Sequence, residues 1–338
     1  MRRLFPVTHE TAAQAPDEGG ATPGGPGGAV PAGPGGAALV GSGGAAPAGP
    51  GGAGPVGPGD AVHAGSGGSA LVGSDSAAPS GSGGAVPSGS GGEWPLAELA
   101  AAYAYPAPDP ASPRPYLRAN MVSTLDGAAQ HDGHSHPISC PADMRIFGTL
   151  RALADVVLVG AETVRQEGYR PARARAEFAA AREAAGQGPA PAIAIVTAAL
   201  DLDFSLPLFT SPLVPTVLLT GTDAPAERVR AAERAGARVI VAGEGRRVEP
   251  ARAVHALAGL GYTRQLTEGG PRLLGQLVAA DVLDEMCLTL APMLAAGDAQ
   301  RIAGGPSVAV PHRFELLSLL EEDGFLFGRY RRPGKPLR

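Results

Sequence analysis

Thr267-Glu268-Gly269-Gly270-Pro271 sets a carboxylate directly before two glycines and a proline. Paired glycines let the backbone come close to an anion. A helix opening at Pro271 would then offer free N–H groups and a partial positive charge. A dinucleotide pyrophosphate suits such a loop. Glu268, at a strand end, is placed to bind hydroxyl or ring N–H groups and is the first candidate for acid–base work. The same run also reads as a plain tight turn with an acidic residue near a helix N-terminus. Two further segments carry comparable side chains. Ser123-Thr124-Leu125-Asp126-Gly127 offers Asp126 as a second acid–base candidate, or as an ordinary turn residue before glycine. Gly160-Ala161-Glu162-Thr163-Val164 offers Thr163, either a phosphate or ribose ligand or a helix cap.

Other clusters are weaker. His131, His134 and His136 lie beside Asp132 with metal-like spacing, but no second ligand group accompanies them. An exposed loop is the expectation there, and no metal is assigned. Arg165, Arg170, Arg173 and Arg175 form either a solvated face or a grip for phosphate. Gly243-Glu244-Gly245 follows an apolar run but lacks the third glycine of a dinucleotide fingerprint. Cys140 and Cys287 read as packing residues without a disulfide framework, which points to a reducing cytoplasm.

The elements that must position these residues alternate in period. Glu93 to Tyr105 is Ala-rich and helical, stopped by Pro106, and Arg114 to Val122 alternates as a strand. A helix opens at Cys140-Pro141 and runs to Ala154. Asp155–Gly160, Ala192–Thr197 and Thr216–Thr220 are short continuous apolar runs, typical of strands covered on both faces. Helices over Pro225–Ala235, Glu249–Leu260 and Gly269–Ala279 alternate with strands at Arg238–Val241 and Gln265–Thr267. The tail then changes style. Glu285–Leu290, Phe314–Leu320 and Phe325–Arg331 are strands without intervening helices, with Glu322-Asp323-Gly324 as a hairpin turn. The pattern predicts an α/β fold: a mixed, mostly parallel sheet with flanking helices and antiparallel C-terminal strands. Ligands of such sheets bind beyond the carboxyl ends of the strands, where the three segments above fall.

Composition bounds the rest. Of 338 residues, 50 are Gly and 34 are Pro, and both crowd into the first ninety or so positions. Gly27 to Ser90 is a run of near-copies of an eight-residue unit, beginning GGAVPAGP, GGAALVGS, GGAAPAGP. Its side chains bury little surface and its glycines maximise the entropy lost on ordering, so residues 9–92 are expected to be a disordered segment. Residues 93–333 are left as one domain with a core built from aliphatic side chains. The net charge of −5 and the absence of a basic run argue against nucleic acid as a partner. No stretch has the length and apolarity of a membrane span, and no apolar region follows the first charged residues as a signal peptide requires.

Taken together, ANMVSTLDG, ISCPADMRIFGTLRALADVVLVGAETVRQEGYRP and LTEGGPRLLGQLVAADVLDEMCLTLAP resemble, in order and spacing, the reductase domain of the bifunctional riboflavin deaminase–reductases. The likeness covers about Tyr116 to Arg331 and is particularly close to the stand-alone pyrimidine reductases of actinobacteria. It implies a dihydrofolate-reductase-like fold, usually a homodimer. It also implies NADPH-dependent reduction of the ribosyl group of 5-amino-6-(5-phosphoribosylamino)uracil. No zinc deaminase motif accompanies it. A reductase of another pterin-like or pyrimidine substrate is one alternative, and a non-catalytic dinucleotide-binding protein is another.

Carried over position by position, the resemblance puts Thr163, Glu167 and Thr197 on the cofactor. It puts Gly270, Pro271, Arg272, Leu273, Leu274, Gly275 and Gln276 on the pyrophosphate loop. Ser135, Arg151, Arg173 and Glu268 fall where the family holds substrate, with Arg151 and Arg173 on its phosphate. Arg170 is an alternative to Arg173. Glu162 stands where the family often has Gly and could repel a cofactor phosphate. Pro137 replaces an aromatic residue, and Glu167 stands for an Asp. MRRLFP resembles the start of the relatives, so residues 1–8 are expected to hold a strand docked on the reductase domain, with the repeats as a loop insertion.

Overall fold

The computed structural model describes residues 1–5, 94–107 and 114–333, and these fall in one compact unit. The octapeptide array lies outside the described residues. In chain order the strands are Arg2–Phe5 (β1), Tyr116–Thr124 (β2), Val156–Gly160 (β3), Ala192–Val196 (β4), Val217–Thr220 (β5), Arg238–Val241 (β6), Arg264–Thr267 (β7), Glu285–Ala291 (β8), Glu315–Glu322 (β9) and Phe325–Arg331 (β10). The helices are Leu96–Ala102 (α1), Pro141–Leu153 (α2), Ala161–Gln166 (α3), Ala176–Ala184 (α4), Pro207–Thr210 (α5), Ala226–Arg234 (α6), Pro250–Ala258 (α7) and Pro271–Ala279 (α8).

All the strands join one sheet, in the order β1-β9-β10-β8-β2-β7-β3-β4-β5-β6. From β8 to β6 the pairing is parallel, and β10, β9 and β1 extend it antiparallel. This is the mixed sheet the sequence predicts. Alternate residues of β3 feed opposite cores. Val157 and Val159 pack with Leu99, Ile146 and Leu150 under α1 and α2. Val156 and Leu158 pack with Val254, Leu257 and Leu274 under α7 and α8. That double burial explains why the central runs are apolar without alternation.

The differences from the sequence reading are local. The six-residue α3 and four-residue α5 are too short to show a helical period, and α4 sits in an Ala/Arg/Glu stretch with little apolar contrast. The hairpin turn tightens to Asp323-Gly324, whose φ angles of 53° and 80° suit a two-residue connection of twisted strands.

Polar contacts pin the chain start and α1. The Met1 ammonium lies 2.9 Å from Glu322, and Arg2 lies 2.7 Å from Glu321. Arg118 and Glu285, both fully buried, are 2.7 Å apart on neighbouring strands. Arg329 and Tyr116 also donate to Glu285, at 2.7 and 2.8 Å. Arg118 reaches the Tyr103 carbonyl at 2.7 Å and its guanidinium lies over the Tyr105 ring. Burial alone would raise the Glu285 pKa, but Arg118 and Arg329 hold it at about 2. Among the described residues no helix is long and apolar enough to cross a membrane.

Candidate active site

β2, β3 and β7 run side by side, so their carboxyl ends open together. The Gly160 N–H donates to the Gly269 carbonyl at 3.1 Å, which ties the two loops to each other. Gly269 has φ 92°, a conformation glycine adopts freely. A Cβ on Gly270 would stand 2.7 Å from Thr163 Oγ1, so only glycine lets the loop lie against α3. α8 then starts at Pro271 with no side chain capping it, leaving its first-turn N–H groups for an anion.

Over these ends lies a cleft of about 840 Å³. Its wall includes Ser135, Arg151, Thr163, Glu167, Arg173, Glu268, Gly270 and Pro271 among the residues singled out from sequence. Arg151, in the last turn of α2, binds Glu268 through two parallel bonds of 2.6 and 2.5 Å, and Tyr169 donates its hydroxyl to the same carboxylate. The Arg151 guanidinium is 4.4 Å from the Phe147 ring centre and 5.3 Å from that of Tyr169. Burial works against its charge, but Glu268 outweighs that and raises its pKa. Burial and then Glu268 push the Tyr169 hydroxyl far above its ordinary value. Arg170 and Arg173 both line the cleft, are exposed, and have no ion-pair partner among the described residues.

Other candidates stand apart. Asp126 does not line the cleft. Its carboxylate accepts the Thr124 hydroxyl and the backbone N–H groups of Ala296 and Ala295, the latter two at 2.7 and 3.1 Å. Those bonds, the Thr124 hydroxyl first, hold its pKa at about 2. It clamps the loop that follows β8. Thr197 is buried, and its hydroxyl accepts the Leu200 N–H at 3.0 Å. Leu273, Leu274 and Gly275 face the core, where a Cβ on Gly275 would collide with the Gly304 carbonyl. Glu162 is turned outward to Arg165 and Gln166, not into the cleft. His131 and His134 pair in a short exposed bridge, with His134 3.9 Å from Glu167.

Sequence reasoning passed over Tyr169, Asp143, Phe147 and Gln300, which also line the cleft. Tyr169 lies in the QEGYRP run beside the arginines, and that was its only signal. Asp143 sits in the first turn of α2, where an acid is common and gives no sign of a site.

Fold and cleft define an α/β domain whose parallel strands carry, at their carboxyl ends, a cleft lined by arginines and an uncapped helix N-terminus. The chain belongs to the RibD C-terminal domain family, whose model matches residues 115–323. It is 28% identical over 221 residues to the 2,5-diamino-6-ribosylamino-4(3H)-pyrimidinone 5′-phosphate reductase of Archaeoglobus fulgidus, covering 65% of this chain and 100% of that one. The enzyme of the same name from Methanothermobacter thermautotrophicus is 32% identical over 196 residues, with 58% and 86% covered. Among solved structures, a pyrimidine reductase-like protein from Corynebacterium diphtheriae superposes with a TM-score of 0.58 at 26% identity, covering 64% of this chain and 92% of that one.

Proposed function

We propose that this chain is an NADPH-dependent oxidoreductase of riboflavin biosynthesis that reduces the ribosyl group of a phosphorylated ribosylaminopyrimidine to a ribityl chain. The sequence points to 5-amino-6-(5-phosphoribosylamino)uracil, and the named relatives act on the counterpart that keeps a 2-amino group. One observation carries the reading: a single cleft joins an uncapped helix N-terminus, suited to a pyrophosphate, to two unpaired arginines, suited to a substrate phosphate.

Gly270, Pro271 and the first-turn N–H groups of Arg272 and Leu273 would hold the dinucleotide, with Thr163 and Glu167 beside it. Bound there, NADPH supplies the hydride that C1′ of the sugar accepts. Arg170 and Arg173 take the 5′-phosphate, and Ser135 a sugar hydroxyl. Arg151 uses Nε and Nη2 on Glu268, which leaves Nη1 for the substrate. Opening the ribose breaks the C1′–O4′ bond as the attached nitrogen forms the C1′=N bond. O4′ takes a proton from water. Glu268 acts by fixing Arg151 and Tyr169 around the opening sugar.

A second copy of the chain is the proposed cover for one sheet face. Leu288, Leu290, Leu319 and Leu326 share that face of β8, β10 and β9 and are only half-buried, with Phe5 exposed at the edge. Light scattering tests it: a dimer is expected, and Leu319→Asp should give a monomer. The proposed setting is the cytoplasm, where Cys140 and Cys287 stay reduced.

The reaction is tested by following loss of reduced-nicotinamide absorbance with either phosphoribosylaminopyrimidine. Oxidation that depends on the pyrimidine is expected. Cofactor binding without turnover of either compound would move the substrate to another pyrimidine or pterin.

A further inference from the structure

Asp143 is a buried acid that the proposed reaction leaves unused. It sits in the first turn of α2, only 6% exposed, and lines the cleft beside Val122, Met144 and Phe147. Its Oδ2 accepts the Ser139 hydroxyl at 2.5 Å and its Oδ1 the Thr289 hydroxyl at 2.6 Å. No arginine, lysine or histidine forms an ion pair with it among the described residues. Burial pushes its carboxyl up, against the pull of the two hydroxyls. Each carboxylate oxygen has about two acceptor sites. So each keeps one for a ligand, and a buried acceptor without a cation is costly unless donors meet it.

The shape of the ligand says which donors arrive. The sugar hangs from C6 of the pyrimidine, and its phosphate suits the exposed Arg170 and Arg173. N3 lies directly across the ring from C6, so the N3 edge is the one that enters the buried part of the cleft first. Apolar surface from Val122, Met144 and Phe147 is available to the flat ring there.

We propose that Asp143 reads this ring edge and selects the 2-amino pyrimidinone over the uracil. The inference rests on the reductase reading above and names the substrate within it. In the 2-amino compound, N3–H and the neighbouring amino group are two donors side by side. A carboxylate accepts both, one on each oxygen. In the uracil, N3–H is flanked on both sides by carbonyl oxygens. A carboxylate at that edge gains one bond and sets its other oxygen against a carbonyl. Sites built to bond a specific group discriminate strongly against an analogue that leaves buried polar atoms unpaired. Asparagine in the same place offers one donor and one acceptor, the complement of the uracil edge.

The test compares kcat/KM for the two pyrimidines, side by side, in the wild-type chain and in Asp143→Asn, with saturating NADPH. The wild type should favour the 2-amino compound by about tenfold to a hundredfold, since each such bond carries discrimination of that order. Asp143→Asn should remove or invert that ratio while still quenching NADPH fluorescence on binding. Equal turnover of both compounds by the wild type, or a preference for the uracil, overturns the proposal. So does an equal loss on both substrates in Asp143→Asn. Should that variant fail to bind NADPH, the wild-type ratio decides. No oxidation with either pyrimidine contradicts the reductase reading itself, and the inference with it.

Discussion

Two arginine–glutamate pairs are tied to strands of this sheet, and their surroundings are opposite. Arg118–Glu285 is fully buried and closed on every side: Tyr116 and Arg329 bind the carboxylate, and the Tyr103 carbonyl and Tyr105 ring take the guanidinium. Arg151–Glu268 has the same chemistry and an open side. Its arginine side chain is one-quarter exposed, and its bonds to Glu268 use only Nε and Nη2. Removing two charges from water is costly, and excellent geometry with additional hydrogen bonds is what offsets it. In the closed pair the bonds hold α1, β2, β8 and β10 together. In the open pair part of the hydrogen-bonding capacity is left for a ligand. The difference separates architecture from function where residue type alone does not.

The largest effect should come from the closed pair. Glu285→Gln leaves Arg118 buried without its counter-charge and should cost about 3–5 kcal/mol of stability in denaturant unfolding. Arg151→Met leaves Glu268 without its counter-charge beside an open cleft, so it should cost clearly less stability than Glu285→Gln while lowering kcat/KM by about tenfold to a hundredfold, the worth of one or two charged hydrogen bonds. An Arg151→Met variant as unstable as Glu285→Gln would erase the contrast. Tyr169→Phe removes one bond to Glu268 and should reduce kcat/KM by about fivefold, close to 1 kcal/mol. Acid unfolding sharpens the closed side. The folded pKa of Glu285, about 2, lies below an unfolded value of about 4.3. Its contribution is therefore present above pH ~4.3 and is lost as pH falls toward 2, so Glu285→Gln should show a flatter acid limb. The smallest effect belongs to Asp126→Asn. It loosens the loop after β8, whose Gln300 lines the cleft, and should raise KM severalfold with little change in kcat.

The order of elements was legible because both-face burial writes continuous apolar runs such as DVVLVG and AIAIV, and because Pro and Gly mark helix starts and turns. The loop at Gly269-Gly270-Pro271 was legible for the same reason: its glycines are demanded by close approach. Side-chain roles were harder to read. Asp126 and Glu268 are both acids near glycines, yet one closes a loop and the other faces the cleft, and that depends on the distant segments 293–296 and 151–169. Asp143 and Tyr169 were missed because their partners, Thr289 and Glu268, lie about a hundred residues or more away in sequence.

The most direct test of the central claim uses NADPH carrying deuterium at the transferable C4 position, mixed with the protein and each phosphoribosylaminopyrimidine. Mass spectrometry of the product should find a single deuterium, on C1′ of a ribityl chain, and Arg151→Met should slow its appearance. Deuterium elsewhere, or nicotinamide oxidation without a labelled ribityl product, would contradict the assignment of this cleft to ribosyl reduction.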